Sequence, residues 1–246
     1  MRAHRRGMAD LILGDRAAQF DGSNKVSAAN SGAFSPAPLT PWSVVFHLYL
    51  DADIGATDWA IVNVASGVLA TDGWFFFVQT GTQKIGMGHS DGAGLHFLIP
   101  HVLIKQTWYM IVGTWDQAAV GPTMAMDVYT GASHNSYSTG TTDTYINNAS
   151  PQPLNIGGAV GGLTWVHGRL DKVGFWTRTL PDQGTLWNGG VGLKGTELPA
   201  AGMTGSLVDY YDLDEATGST TWRSLFGTHN ATATGTVVSV PPAGQT

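Results

Sequence analysis

No cysteine occurs among the 246 residues, which excludes disulfides and thiolate metal sites and leaves stability to core packing, helped at most by an oxygen-liganded ion. Positive charge is also scarce: 12 Lys and Arg stand against 18 Asp and Glu, for a formal net charge of -6. A nucleic-acid partner calls for a basic stripe that releases counterions from phosphates, so none is expected. Long apolar runs are missing as well. No stretch of about 18 apolar residues is available to span a bilayer, so no membrane partner is expected. After the basic start, Leu11-Ile-Leu13 is the whole apolar run, against the roughly 7–15 residues of a secretory signal core. The expectation is a chain made in the cytoplasm.

The patterns that carry catalysis are equally thin. There are only two glutamates, Glu197 and Glu215, and no Gly-x-Ser-x-Gly nucleophile turn. Gly86-Met-Gly88 is too short for a dinucleotide loop and reads as a turn, and no phosphate-binding loop precedes Lys194. The eight histidines include no His-x-x-x-His pair; His96 and His101 are five apart with Pro100 between them. An enzyme is not expected.

What is present is glycine, 33 residues of it, within a chain that is 43% hydrophobic. That composition suits a β-protein with many tight turns. One domain is expected over residues 16–240, between an N-terminal arm (1–15) and a C-terminal tail (241–246). Trp42, Val44, Phe46, Leu48 and Leu50 alternate onto one face of an extended run, with Ser43, His47 and Tyr49 on the other. Trp59–Val64, Trp74–Gln79 and Trp108–Trp115 are apolar on both faces, as strands central to two packed layers are. In Gly168–Trp176 the inward phase passes from Leu170 to Val173 and Phe175, which predicts a β-bulge near Asp171. A short helix is expected near 181–188, starting at Pro181, anchored by Leu186 and Trp187 and stopped by Gly189-Gly190. Leu207–Leu213 reads as another strand and Thr234–Val240 as the last, and a strand that arrives so late must pair with an early one, for which Arg16–Phe20 and Lys25–Ser27 are the candidates.

Several pieces, in this order, resemble the laminin G-like branch of the concanavalin A-like lectin/glucanase superfamily. They are Gln19-Phe-Asp-Gly22 with Lys25-Val26; Trp42-Ser-Val-Val-Phe46; Lys105-Gln-Thr-Trp108 leading to Val112-Gly-Thr-Trp-Asp116; and Val128-Tyr-Thr-Gly131. Pro153-Leu-Asn-Ile-Gly-Gly158 and His167-Gly-Arg-Leu-Asp-Lys-Val-Gly-Phe-Trp176 complete the series. The resemblance implies a two-layer antiparallel β-sandwich of jelly-roll type. It does not imply glycoside hydrolysis, because the glucanase branch uses a Glu-x-Asp-x-x-Glu run that neither glutamate here belongs to.

Three sets of candidate residues follow. Asp58, Trp59, Asp72, Trp74, Trp165 and His167 stand where loops meet strand ends, and an exposed tryptophan beside acids suits stacking on a sugar. Trp42, Trp108 and Trp176 fall in strand positions and are assigned to packing. Asp21, Asn24 and Asp171 offer the hard oxygen ligands of calcium, with capping of the turn and of the bulge as the competing role; no cofactor is required. Arg2, Arg5 and Arg6 offer charge for docking on an acidic neighbour. With no signal, anchor or cysteine, the chain resembles family members encoded by tailed bacteriophages. The leading expectation is therefore a homo-oligomeric capsid decoration protein at the virion surface. An extracellular carbohydrate-binding or adhesion module is the alternative.

Overall fold

The computed structural model describes residues 16–29, 32–37, 39–65, 72–117, 123–139, 146, 152–158, 163–180, 183–190 and 192–241. In chain order its strands are β1 (Ala17–Asp21), β2 (Lys25–Ala28), β3 (Trp42–Leu50), β4 (Trp59–Ala65), β5 (Gly73–Gln79), β6 (Lys84–Ser90), β7 (Leu95–Val102), β8 (Trp108–Asp116) and β9 (Thr123–Thr130). They continue with β10 (Ser133–Ser138), β11 (Leu154–Ile156), β12 (Thr164–Trp165), β13 (His167–Trp176), β14 (Leu207–Tyr211), β15 (Thr221–Trp222), β16 (Ala231–Thr234) and β17 (Val238–Val240).

These strands make two sheets. One runs β10-β9-β8-β3-β13-β1-β17, with β14 beside the C-terminal half of β13; the other runs β15-β16-β2-β11-β4-β5-β6-β7, with β12 beside β4. Every pairing is antiparallel except β12 with β4. The end of the chain closes on the early strands as expected, but as two strands rather than one, β17 on β1 and β16 on β2, whereas β14 pairs with β13.

The core between the sheets follows the alternation in the sequence. Trp42, Val44, Phe46, Leu48 and Leu50 of β3 all point into it, facing Trp74, Phe76 and Val78 of β5. Phe46 meets Phe76 edge to face at 5.0 Å, and Trp74 lies 5.8 Å from Trp115 and 6.0 Å from Phe175. Such pairs add specific geometry to the large apolar area each ring removes from water.

The expected bulge lies in β13, where the register against β3 shifts between Asp171 and Gly174 and Lys172 takes a φ of 51°. Beyond it Val173 and Phe175 return to the core, while Trp176 faces a second apolar cluster on the outside of the sheet. That cluster is roofed by the short helix α1 (Gln183–Trp187), whose Leu186 and Trp187 are its buried anchors. Pro181 lies outside the described residues. Beneath the roof His47 packs at 5.6 Å from Trp187, beside the buried ion pair of Asp171 and Lys172.

Gly86 and Gly88, read from sequence as turn residues, are instead inside strand β6. A Cβ on Gly86 would come 2.6 Å from the Phe77 ring, and one on Gly88 2.9 Å from Phe75. Two aromatic rings lie across strand positions that only glycine leaves open.

Candidate functional site

At one rim of the sandwich, the turn after β1, the loop from β3 to β4, and the strands β4, β12 and β13 surround a cleft of about 440 Å³. Trp59, Trp165 and His167, three of the residues expected from sequence, come together there with Asp53, Thr57 and Thr164. The short parallel strand β12 makes this possible. It sets Thr164 opposite Trp59 and Trp165 opposite Ala60, while β13 begins two residues later with His167.

Each wall has an identifiable support. Trp59 is 5% exposed and belongs to the core, showing the cleft only its rim; its ring lies 5.3 Å from His167. Trp165 is half-buried, and the Lys25 amine stands 5.8 Å from its ring centre while donating to Asn155 Oδ1 at 2.9 Å. Burial lowers the Lys25 pKa. Thr57 donates to Thr164, whose own hydroxyl donates to the Asp58 carbonyl, both at 3.1 Å. Asp58 itself lies outside the cleft lining: its carboxylate accepts the Thr80 amide at 2.7 Å, so it clips the β5–β6 turn to the site. Asp53 pairs with Lys105 at 2.6 Å and accepts from Gln83, and these two bonds hold its carboxyl below the usual range.

The other expected members are placed elsewhere. Trp74 is 0% exposed, so its assignment to a binding surface is corrected: it takes the inward phase of central strand β5 and donates its indole N–H to the Phe34 carbonyl at 2.9 Å. Asp72, just before it, is buried and is not part of the cleft. Trp42 and Trp176 are buried as assigned, but Trp108 is only half-buried, on the outer face against Tyr49 at 5.4 Å.

The three proposed calcium ligands do not converge. Asp21 lies opposite His167 in the β1–β13 register, whereas Asp171 is four residues further along β13, about 13 Å of extended chain. Asp21 caps its own turn by accepting the Ser23 hydroxyl and amide at 2.7 and 2.9 Å, which keeps its carboxyl below the usual range. Asn24 is committed to the Asp21 amide and the Thr236 carbonyl, and Asp171 to Lys172. Among the described residues no group of three or more His, Asp or Glu gathers as a metal site. Arg2, Arg5 and Arg6 lie outside the described residues.

Sequence reading missed Thr57 and Thr164 because no motif marks them, and it took Gly22 as part of a turn motif and not as a cleft wall. The chemistry collected here is an aromatic surface beside hydroxyls, a carboxylate and an imidazole, a set that can hold a polyhydroxylated ligand.

The two-layer antiparallel sandwich defines the fold class. The chain belongs to the concanavalin A-like lectin/glucanase superfamily, whose laminin G-type family model matches residues 20–184. No curated protein matches it in sequence. Among solved structures it is similar to a heptameric SAP-like pentraxin from Limulus polyphemus, at 16% identity and TM-score 0.44, covering 68% of this chain and 78% of that one. It is also similar to the CBM40 of a Ruminococcus gnavus IT-sialidase bound to α2,3 sialyllactose, at 11% identity and TM-score 0.45, covering 70% and 97%. A third is tailspike protein 2 of the Escherichia coli O157:H7 bacteriophage CAB120, at 13% identity and TM-score 0.44, covering 81% of this chain and 30% of that one.

Proposed function

We propose that the protein is a non-catalytic carbohydrate-binding module, an adhesion domain that holds a glycan in the cleft between Trp165 and His167. The observation that carries this reading is the half-buried Trp165 ring at the mouth of a cleft whose lining brings the Thr57 and Thr164 side chains, Asp53 and His167 beside Trp59, Ala52 and two glycines. A pyranose presents C–H groups on one face and hydroxyls at its edge, so it stacks on such a ring while its hydroxyls bond to the polar rim. Membership of a lectin-containing superfamily supports the same reading. Its place of action is outside a cell or on a particle that meets one.

A second reading, decoration of a virion surface as a homo-oligomer, is favoured by a different observation. Phe97, Val102 and Ile104, on and just after edge strand β7, are 45%, 51% and 66% exposed. Apolar side chains grouped at a sheet edge are surface that another subunit covers.

A glycan array probed with the wild-type chain and with Trp165→Ala and His167→Ala tests the first reading. Binding of at least one glycan, weakened tenfold or more in both variants, is the expected result. No binding to any glycan, together with co-sedimentation at fixed stoichiometry with virus particles, would replace it with the second.

A further inference from the structure

The outer face of the sheet that ends at β7 is apolar over its last strands. Successive residues of a strand point to opposite faces. Trp74, Phe76 and Val78 of β5 therefore enter the core, while Phe75 and Phe77 form a separate cluster outside it with Ala60, Leu95, Ile99 and Leu163. Gly86 and Gly88 of β6 leave room for the two rings. Phe97 of β7 meets them edge to face, 5.9 Å from Phe75 and 5.8 Å from Phe77, and still keeps 45% of its surface in water. Val102, opposite Lys84, extends the same exposed face, and Ile104 follows it.

Charge stands only at the two ends of this face. Lys84 opens β6 and makes no ion pair among the described residues. Asp91, just past the other end of β6, accepts the Ala93 and Gly94 amides and pairs with His96, which hold its carboxyl down to about 2. It is a carboxylate at neutral pH, with a side chain 21% exposed. No outward residue of β5, β6 or β7 between these two is charged. Extended chain of about 24 Å separates them, and Phe97, opposite Gly88, lies near the midpoint. The backbone edge of β7 is blunted: Ile99 and Pro100 share the place opposite Gly86, and a bulged strand with a proline is a poor template for another strand. A partner must therefore dock on the side chains of the face.

We infer that this face binds a second copy of the chain, about a two-fold axis that lies in the plane of contact, runs across the strands and passes by Phe97. The inference gives the subunit contact of the second reading a partner and a symmetry, and it depends neither on a virion nor on what the Trp165 cleft holds. The two sheets pack outer face to outer face, about 10 Å apart. Such an axis reverses the strands, so each Lys84 meets the partner's Asp91 while the two Phe97 rings meet in the middle. An axis along the strands would instead set Lys84 on Lys84 and Asp91 on Asp91, and opposed like charges select against it. Trp59 pairs with Val78 and Gln79 with Lys84, so the Trp165 cleft opens at the Lys84 end. The dimer thus carries its two clefts at opposite ends.

Sedimentation equilibrium of the full chain at micromolar concentrations tests the contact, with Phe97→Asp, Lys84→Glu and Trp165→Ala as variants whose fold is checked by circular dichroism. A carbodiimide, which joins an amine to a neighbouring carboxylate, tests the axis in a mixture of isotope-labelled and unlabelled chains. The expected result is the mass of two chains for wild type and Trp165→Ala, and of one chain for Phe97→Asp. Lys84→Glu should associate at least tenfold more weakly, and mass spectrometry should find a Lys84–Asp91 amide that joins labelled to unlabelled peptide. A wild-type chain that stays monomeric leaves the face to a different protein or to lipid and overturns the proposal. A dimer that survives Phe97→Asp overturns it too, because its contact lies elsewhere. Undiminished association of Lys84→Glu, or no amide between labelled and unlabelled chains, overturns the reversed axis. Loss of glycan binding in a Trp165→Ala dimer keeps the cleft reading and the dimer apart.

Discussion

His167 occupies the space above Gly22: a Cβ on that glycine would stand 2.1 Å from the imidazole Nε2, and Gly22 holds a φ of 83°. Asp21 lies opposite His167 in the sheet, and the Gly22 amide donates to the Val166 carbonyl at 3.0 Å. The turn after β1 and the start of β13 are one fitted unit, and the imidazole wall of the cleft depends on residue 22 having no side chain.

Gly22→Ala therefore carries two penalties, left-handed backbone strain of about 1–2 kcal/mol and displacement of His167. Urea denaturation should show a stability loss of at least that size, and glycan binding should fall with it. An unchanged denaturation midpoint would mean that the turn relaxes freely.

The tryptophans on either side of the exposure divide should behave oppositely. Trp74→Ala empties the centre of the core and is expected to cost about 3–5 kcal/mol. Trp165→Ala, at the half-buried cleft mouth, should leave the melting temperature close to wild type while weakening glycan binding. Calorimetry and array binding on the same preparations separate the two effects.

His47 gives a pH signature. Burial beneath Trp187, and then the nearby Lys172 charge, lower its pKa from 6.5 to about 3. Between those values the unfolded chain takes up a proton that the folded chain refuses. The contribution is whole above pH 6.5 and is lost as pH falls, with a slope approaching about 1.4 kcal/mol per pH unit. Denaturant titrations from pH 7 to 4 should show a shallower loss for His47→Gln than for wild type; parallel curves would contradict the buried neutral imidazole.

Lys172 and Asp171 form an ion pair with side chains only 2% and 6% exposed. Lys172→Met removes the cation and leaves the carboxylate buried, at an expected cost of about 3–5 kcal/mol. The double variant Asp171→Leu/Lys172→Met should recover a large part of that loss. Additive losses in a double-mutant cycle would show that the two charges do not depend on each other.

The parts of this molecule that follow local periodicity were legible in sequence: the alternation of β3, the bulge at Lys172, and the anchors Leu186 and Trp187. β6 was not, because Gly86 and Gly88 carry no strand signal until Phe75 and Phe77 lie across them. The cleft was half legible. Trp59, Trp165 and His167 stood out as residue types, but Trp74 did so equally, and only its inward phase in a central strand tells it apart.

The closure of β16 on β2 and β17 on β1 also bears on synthesis. At roughly 5–20 residues per second, the ribosome delivers Val240 some 10–40 s after Ala28. Until then β1 is open on the side that edge strand β17 will cover, and β2 on the side that β16 will cover. The nascent chain is thus exposed to wrong partners for longest at its oldest strands, and a chaperone that shelters residues 17–28 would raise the yield more than one acting on any later segment.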